Sequence, residues 1–255
     1  MNERVTLRAE FAGSRNATLA ARLDLPSADA RAYAVFAHCF TCSKDLQAAS
    51  RIARGLSERG IGVLRFDFTG LGHSGGEFAS TNFSSNVEDL VAACDWLRSE
   101  HGAPSLLVGH SLGGAAVLAG AASVPEVRAV ATIGAPADPA HVAHLIASAT
   151  EEIEVRGEAR VAIGGREFTV RKQFLDDLTE QRHRERIRDL GRALLILHSP
   201  DDRTVPIEEA ARIYGAARHP KSFVSLDGAD HLLTAERDAV FVADLLAVWA
   251  LRYVI

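Results

Sequence analysis

Short apolar runs alternate with longer segments of helical periodicity along most of this chain. The run GVLRFDF, for example, is followed by SSNVEDLVAACDWLRSEHG, in which apolar residues recur every three or four positions. Continuous apolar runs are typical of strands buried on both faces, and amphipathic segments between them are typical of helices covering a sheet. The alternation therefore predicts an α/β fold with a mostly parallel sheet. The other apolar runs are AYAVFAH, SLLVGH, VRAVATIGAP, ALLILHS and SFVSLDG.

Two segments depart from this rhythm. RVTLRAEF and ATLAARLDLP alternate in polarity around AGSRN, which predicts an antiparallel N-terminal hairpin. Residues 137–190 contain a helical segment, a second predicted hairpin around RVAIGGREFTV, and the charged segment LTEQRHRERIRDLG. That stretch is too long for a plain connection between a strand and a helix. We therefore expect one domain over residues 1–255, with a cap or lid inserted at about 137–190.

Composition argues against several classes of protein. A net charge of −5 and a pI of about 6.1 are unlike the basic footprint of a nucleic-acid binder. The N-terminus has no apolar core of the signal-peptide type. The stretch AVFVADLLAVWALRYVI is interrupted by Asp244 and Arg252, so we expect a mostly buried C-terminal helix rather than a membrane span. Three cysteines are too few for a disulfide framework and favour a reducing compartment. We predict a cytoplasmic protein with no membrane or nucleic-acid partner, of undetermined oligomeric state.

The clearest chemical motif follows the run SLLV. Residues 109–113 read Gly-His-Ser-Leu-Gly and fit the pattern G-x-S-x-G, between an apolar strand and an alanine-rich helix. In this context the serine lies on a sharp, strained strand-to-helix turn, and the flanking glycines permit close packing. Ligands bind at the carboxyl ends of the strands in such sheets. The motif therefore predicts that Ser111 is a nucleophile.

A serine hydroxyl needs a base to take its proton and an acid to orient that base. The expected chain order on this fold is serine, then a carboxylate, then histidine. Asp202 follows the run ALLILHS and His231 follows SFVSLDG, so both lie just past strand ends where they can converge on Ser111. Three neighbouring carboxylates remain alternatives for the acid: Asp201, Asp227 and Asp230.

Together these segments resemble the α/β-hydrolase superfamily across essentially the whole chain. The matching pieces are AHCF after the third strand, DFTGLGHS after the fourth, GHSLGG, DDRTVP and GADH. The resemblance implies a serine esterase, thioesterase or related acyl hydrolase, with Ser111 as nucleophile, Asp202 as acid and His231 as general base. It implies a small-molecule acyl ester or thioester as substrate, and neither a cofactor nor a metal ion.

A narrower likeness concerns the first third of the chain. The segments AHCFTCSKD, LRFDFTGLGHSGGEF and NFSSNVEDL are similar to the hydrolase half of bacterial proteins that fuse it to an OsmC-like peroxidase domain. The sequence stops at Ile255, directly after the last hydrolase helix, so we carry over no peroxidase activity.

The resemblance places the oxyanion hole in the loop after the third strand. The superfamily usually has His-Gly-x there, whereas this chain has His38-Cys39-Phe40. By resemblance, the backbone N–H groups of Phe40 and Leu112 face the oxyanion of a tetrahedral intermediate. Losing one such donor typically costs about 10²–10³ in rate.

Cys39 and Cys42 form a C-x-x-C pair in the same loop, which leaves a second interpretation open. The pair is typical of thiol oxidoreductases, and we expect Cys42 to begin the next helix, where a thiol pKa is lowered. A thiol-redox or redox-regulated protein, or a hydrolase-like binding module, is therefore an alternative to the esterase. A zinc site is disfavoured because no second such pair completes four ligands.

Two further features are predicted to be structural. The turn DFTGLGHSGG lacks the ending of a phosphate-binding loop, so Asp67 and His73 are expected to border the pocket as structural residues. Cys94 lies on the predicted buried face of a helix.

Overall fold

The computed structural model describes residues 5–163 and 165–255. Its strands are β1 Val5–Ala12, β2 Thr18–Leu25, β3 Ala32–Ala37, β4 Ile61–Phe66, β5 Leu106–His110, β6 Ala129–Ile133, β7 Glu158–Ile163, β8 Arg166–Arg171, β9 Ala193–His198 and β10 Lys221–Ser225. Its α-helices are α1 Gln47–Ser57, α2 Phe83–Glu100, α3 Leu112–Gly120, α4 Thr150–Arg156, α5 Lys172–Thr179, α6 His183–Arg188, α7 Glu208–Ala216 and α8 Glu236–Val254. A long 3₁₀ helix spans Pro139–Ala149.

The fold is built around one large β-sheet. Its strand order is β1-β2-β4-β3-β5-β6-β9-β10, with β7 and β8 paired separately. The N-terminal hairpin is antiparallel and β2 also runs antiparallel to β4, while the remaining strands of the large sheet are parallel. The predicted α/β architecture and N-terminal hairpin are confirmed.

Both faces of the sheet are covered, which explains the continuous apolar runs of the sequence. Every residue of β4, β5, β6 and β9 is buried. One core lies between the sheet and α2, α3 and α7, and the other between the sheet and α1 and α8. Cys94 of α2 is fully buried in the first core, as predicted.

The apolar C-terminal segment forms a helix, but it buries less of its surface than expected. One face of α8 packs into the second core, whereas Phe241 is 50% exposed and Val248 is 71% exposed. The reason is that α8 lies on the outside of the sheet, so only one face can meet it. Among the described residues, no helix has the length and hydrophobicity needed to cross a bilayer.

The chain between β6 and β9 contains the 3₁₀ helix, α4, the β7–β8 hairpin, α5 and α6. The hairpin predicted around RVAIGGREFTV is thus present. Its side chains contribute to the first core, with Val161, Phe168 and Val170 buried there.

The prediction that Cys42 begins a helix is wrong. The helix α1 begins at Gln47, and residues 41–46 form turns instead. Cys42 N–H donates to Cys39 O at 3.1 Å, which closes a turn over the two residues between them. Thr41 has a φ of +64°, a left-handed conformation that does not continue into a helix.

The turn after β4 is organised by the buried carboxylate of Asp67. Its Oδ1 accepts the backbone N–H of Lys44 at 2.6 Å, and its Oδ2 accepts Lys44 Nζ at 2.7 Å and the N–H of His73 at 2.9 Å. Asp67 and His73 therefore have the structural contacts expected of them.

A second buried carboxylate, Asp89 of α2, joins the N-terminal hairpin to that turn. It is 0% exposed, and its two oxygens accept the backbone N–H groups of Ser14 at 2.8 Å and Thr69 at 2.9 Å. Removing the carboxylate would take the acceptor from both N–H groups, of which that of Thr69 is buried and that of Ser14 is partly buried.

We expect Asp89→Ala to lower the free energy of unfolding by about 2–4 kcal/mol, because one buried donor and one partly buried donor lose a charged acceptor. Urea unfolding measures this change. The matched control is Glu88→Ala, one residue earlier on the exposed side of α2, which we expect to stay within about 0.5 kcal/mol of wild type. Equal stability of the two variants would contradict the role given to Asp89.

Candidate active site

Ser111 lies between the last residue of β5 and the first residue of α3. Its backbone has φ +55° and ψ −125°, a conformation that non-glycine residues rarely adopt. A Cβ at Gly113 would overlap the carbonyl oxygens of Ala37 and His38, and one at Gly109 would overlap the carbonyl oxygen of Gly113. The strained turn therefore needs glycine on both sides, and this is the physical reason for the two glycines of the G-x-S-x-G pattern.

Asp202 and His231 are in direct contact. Asp202 follows β9, His231 follows β10, and His231 Nδ1 lies 2.7 Å from Asp202 Oδ2. The other carboxylate oxygen of Asp202 accepts the backbone N–H groups of Thr204 at 2.8 Å and Val205 at 2.9 Å. The contact fixes the proton of neutral His231 on Nδ1 and leaves Nε2 with a free lone pair.

Opposing effects act on the Asp202 carboxyl. Burial alone would raise its pKa, but the hydrogen bond and charge of His231 and the N–H groups of Val205 and Thr204 hold the pKa below its usual 3.8. Asp202 is therefore ionised at neutral pH and attracts positive charge on the imidazole.

The alternative carboxylates have other partners within the described ranges. Asp201 accepts the N–H of Gly228 at 3.0 Å, and Asp227 pairs with the hydroxyl of Ser225. Asp230 accepts the N–H and hydroxyl of Thr234. Of the four carboxylates considered from the sequence, Asp202 is the one that contacts His231.

The serine turn is tied to both of these residues through the main chain. Ser111 N–H donates to Ile133 O at 2.9 Å, and the next residue, Gly134, lies against Asp202 and His231. A Cβ at Gly134 would stand 3.1 Å from Asp202 Oδ2 and 3.4 Å from His231 Nδ1. The Ser111 hydroxyl itself makes no hydrogen bond within residues 5–163 and 165–255. The main chain that binds Ser111 N–H thus continues directly into the residue that lies against the Asp202–His231 pair.

His110 is a contributor that the sequence analysis missed. Its Nε2 donates to the carbonyl oxygen of His231 at 2.7 Å, and the two rings lie 5.0 Å apart. Burial, with a smaller contribution from the nearby His231, lowers the pKa of His110 to about 3. His110 therefore stays neutral and holds the backbone of His231. His110 occupies a position of the G-x-S-x-G pattern at which any residue is allowed, so the pattern did not predict this contact with His231.

The two backbone N–H groups predicted to form the oxyanion hole have no acceptor within the described residues. Among the described residues, the backbone N–H groups of Phe40 and Leu112 make no hydrogen bond to the protein. Leu112 is the first residue of α3, so its N–H belongs to the unpaired, positive end of a helix. Cys39 does not adopt a positive φ, so the side chain that replaces the usual glycine causes no backbone strain.

The C-x-x-C pair is oxidised in the structure. Cys39 and Cys42 form a disulfide, with their Cα atoms 5.3 Å apart. The third cysteine, Cys94, is free and buried, and burial raises the pKa of its thiol. The bond spans Phe40 and Thr41 and thus encloses one of the two predicted oxyanion donors.

Phe78 and side chains from the region between β6 and β9 pack on this loop. The Phe40 ring packs against Phe78 at 5.5 Å and Phe174 at 5.4 Å, and Phe78 packs against Phe168 at 4.9 Å. Arg166 Nη1 donates to Thr41 O at 3.3 Å. Ser111 is itself only 7% exposed.

The low pKa of Asp202 makes part of the folding stability depend on pH. Because the folded-state pKa lies below the ordinary value of 3.8, the contribution is fully present above that value and is lost as pH falls through the folded pKa. We therefore expect the stability difference between wild type and Asp202→Asn to stay constant from pH 6 to about pH 4 and to shrink as the pH falls below 3.8. Urea unfolding across this range measures it.

The control for this experiment is the same substitution in a His231→Gln background. There the histidine that lowers the Asp202 pKa is gone, so the dependence on pH is expected to weaken. A stability difference between wild type and Asp202→Asn that does not vary with pH would contradict the assignment.

Comparisons with known proteins agree with this architecture. The human protein ABHD12B is 29% identical over 170 residues, which are 66% of this chain and 45% of that protein. The chain therefore spans less than half the length of this curated relative. The fold is also that of Est1E from Butyrivibrio proteoclasticus in complex with ferulic acid, at 20% identity, 96% and 98% coverage of the two chains, and a TM-score of 0.78.

The esterase domain of a protein from Rhodothermus marinus is more similar in sequence. It is 52% identical over 98% of this chain and 99% of that chain, with a TM-score of 0.80. The sequence model of the alpha/beta hydrolase family matches residues 34–245, which span most of the chain and include Ser111, Asp202 and His231. This protein therefore belongs to the alpha/beta hydrolase family.

Proposed function

We propose that this protein is a serine hydrolase that cleaves carboxylic esters or thioesters through an acyl-enzyme on Ser111. The observation that carries the proposal is the 2.7 Å contact between His231 and Asp202 beside a serine in a strained strand-to-helix turn. The likeness to the Rhodothermus marinus esterase domain, at 52% identity, supports the same chemistry.

In the proposed reaction, Ser111 Oγ attacks the acyl carbonyl while His231 Nε2 takes the hydroxyl proton. Asp202 keeps the imidazole in the required tautomer and stabilises its positive charge. The oxyanion of the tetrahedral intermediate is held by the N–H groups of Phe40 and Leu112, and the protonated His231 then gives its proton to the leaving group. A water molecule, activated by His231, releases the acid and regenerates Ser111.

The neutrality of His110 assists this cycle. His231 gains positive charge in each transition state, and a second charged imidazole 5.0 Å away would oppose that. Because burial keeps His110 uncharged, it can hold the His231 backbone without this electrostatic cost.

Residues 137–190 are proposed to form a cap on the single domain of residues 1–255 and to shape the acyl pocket. The cap proposal is supported by contacts with the loop that carries Phe40. Phe174 packs on the ring of Phe40, and Arg166 donates a hydrogen bond to the carbonyl oxygen of Thr41. The substrate is then a small-molecule acyl ester or thioester that enters beside this aromatic layer.

A thiol-redox protein is the second candidate, favoured by the disulfide between Cys39 and Cys42. In that case Ser111→Ala would be harmless and Cys39→Ser would destroy activity.

A hydrolase-like binding module would instead hold an ester without turning it over. The cytoplasmic location stays a prediction that rests on the small number of cysteines and on an N-terminus without a signal-type apolar core. The likeness to OsmC-fused hydrolases also remains a prediction.

Reaction with a fluorophosphonate tests the nucleophile. We expect intact mass spectrometry to show a single adduct on wild type and none on Ser111→Ala, because the reagent phosphonylates activated serines. On an ester substrate, Ser111→Ala is expected to lower kcat by about 10⁴-fold or more.

The matched control is Ser123→Ala, which removes an exposed serine shortly after α3 and should label like wild type. An adduct on Ser111→Ala at the wild-type rate would place the reactive residue elsewhere. No adduct on folded wild type would contradict an assembled catalytic site.

The cap proposal predicts a change in acyl-chain preference. Phe174→Ala removes a ring that packs on Phe40, so longer acyl chains should gain space beside the scissile carbonyl. We expect the ratio of kcat/KM for a butanoyl ester to that for an acetyl ester to rise about tenfold.

Thermal unfolding establishes that the variant is folded, because removing a buried ring also costs stability. Val155→Ala is the control, since Val155 lies in the same segment but is 80% exposed. A folded Phe174→Ala variant with an unchanged ratio would count against the cap as a determinant of acyl preference.

A further inference from the structure

We propose that the Cys39–Cys42 disulfide holds the Phe40 N–H in position as an oxyanion donor, so that the rate of hydrolysis depends on the redox state of this pair. The proposal rests on the function proposed above. The chemical partner is a dithiol reductant that exchanges with the disulfide, and the consequence is a change in kcat.

The first step concerns the peptide unit between Cys39 and Phe40. This unit is planar and trans, so its carbonyl oxygen and its N–H point in opposite directions and move together. Cys39 O accepts His38 Nδ1–H at 2.7 Å and Cys42 N–H at 3.1 Å. Whatever fixes these two hydrogen bonds also fixes the direction of the Phe40 N–H.

The disulfide closes the same turn as one of these hydrogen bonds. Both the S–S bond and the Cys42 N–H bond join residues 39 and 42, across Cα atoms 5.3 Å apart. Within the turn, Thr41 adopts φ +64°, which is unfavourable for a β-branched residue. The covalent link therefore maintains a turn that the Thr41 backbone alone does not favour.

The other anchors act on different parts of the loop. The aromatic layer holds the Phe40 side chain, and Arg166 bonds to the carbonyl oxygen of Thr41. His38 is the second partner of Cys39 O, and its Nε2 accepts the N–H of Phe68 at 3.4 Å, which sets its tautomer. Burial is the main cause of the lowered pKa of His38, so this donor is uncharged. Without the disulfide, the direction of the peptide unit depends on this neutral donor and on a turn that is closed only by the Cys42 N–H bond.

The two cysteine residues differ in exposure. Cys39 is 3% exposed, whereas Cys42 is half-buried. A reductant thiolate therefore attacks Cys42 Sγ, the S–S bond breaks, and Cys39 leaves as a thiolate that takes a proton from water. The second thiol of the reductant then attacks the mixed disulfide, releases Cys42 as a thiol and closes a cyclic disulfide. Two electrons pass from the reductant to the protein.

Reduction is expected to lower kcat by about 10- to 100-fold. This decrease is no larger than the decrease of about 10²–10³ in rate that removal of one complete oxyanion donor typically causes. KM should change by less than about threefold, because the donor acts on charge that develops only in the transition state. This split separates loss of an oxyanion donor from general damage to the binding pocket.

The experiment begins with wild type in three states: as prepared, after dithiothreitol, and after reoxidation with oxidised dithiothreitol. Excess reagent is removed by gel filtration under nitrogen, since free thiols attack activated esters. Intact mass spectrometry verifies that reduction adds the mass of two hydrogen atoms. We expect kcat to fall on reduction and to recover on reoxidation, with unchanged far-ultraviolet circular dichroism.

Two variants give the matched comparison. Cys42→Ser cannot form the bond and is expected to show the kcat of the reduced protein with or without dithiothreitol. Cys94→Ala removes the free cysteine buried in α2 and is expected to respond to reduction like wild type. A thermal melt of each variant separates loss of kcat from loss of fold.

The outcomes distinguish this proposal from the function on which it rests. Equal kcat in verified oxidised and reduced wild type would overturn the disulfide proposal alone. Absence of both ester turnover and fluorophosphonate labelling in every redox state would overturn the serine-hydrolase function and the disulfide proposal with it. A rate that rises on reduction would also contradict the proposed role of the bond.

Discussion

The contact between the start of α3 and the end of β3 is the constraint on which the site depends. Gly113 lies so close to the carbonyl oxygens of Ala37 and His38 that no side chain fits between them. This approach brings the N-terminus of α3 against the loop that carries Phe40. It therefore sets the spacing of the two predicted oxyanion donors. Ser111, the residue before α3, adopts its strained backbone conformation directly beside this contact.

Neutral histidines position the main chain around this contact. His38 donates to Cys39 O and His110 donates to His231 O, at 2.7 Å in each case. Burial is the chief cause of the lowered pKa of both rings, so they add no positive charge beside His231. The charge that does face His231 is the carboxylate of Asp202, which is opposite in sign to the charge an imidazole gains as a general base.

The parts of this arrangement that depend on local pattern were predictable from the sequence. Apolar runs specify strands buried on both faces, and the positions of Ser111, Asp202 and His231 follow from the strand ends that precede them. Contacts between residues distant in the chain were not predictable: His110 with His231, and Phe40 with Phe174, depend on tertiary packing. The expected helix start at Cys42 was wrong because the disulfide and the left-handed Thr41 keep that segment in a turn.

The central claim is that Ser111, the base His231 held by Asp202, and the backbone N–H groups of Phe40 and Leu112 act together on one acyl group. A crystal structure of the protein after reaction with a fluorophosphonate tests this claim most directly. The account predicts a covalent bond from phosphorus to Ser111 Oγ, with the phosphonyl oxygen within hydrogen-bonding distance of both Phe40 N and Leu112 N. A phosphonyl oxygen that points away from both N–H groups, or phosphorus bound to another residue, would contradict it.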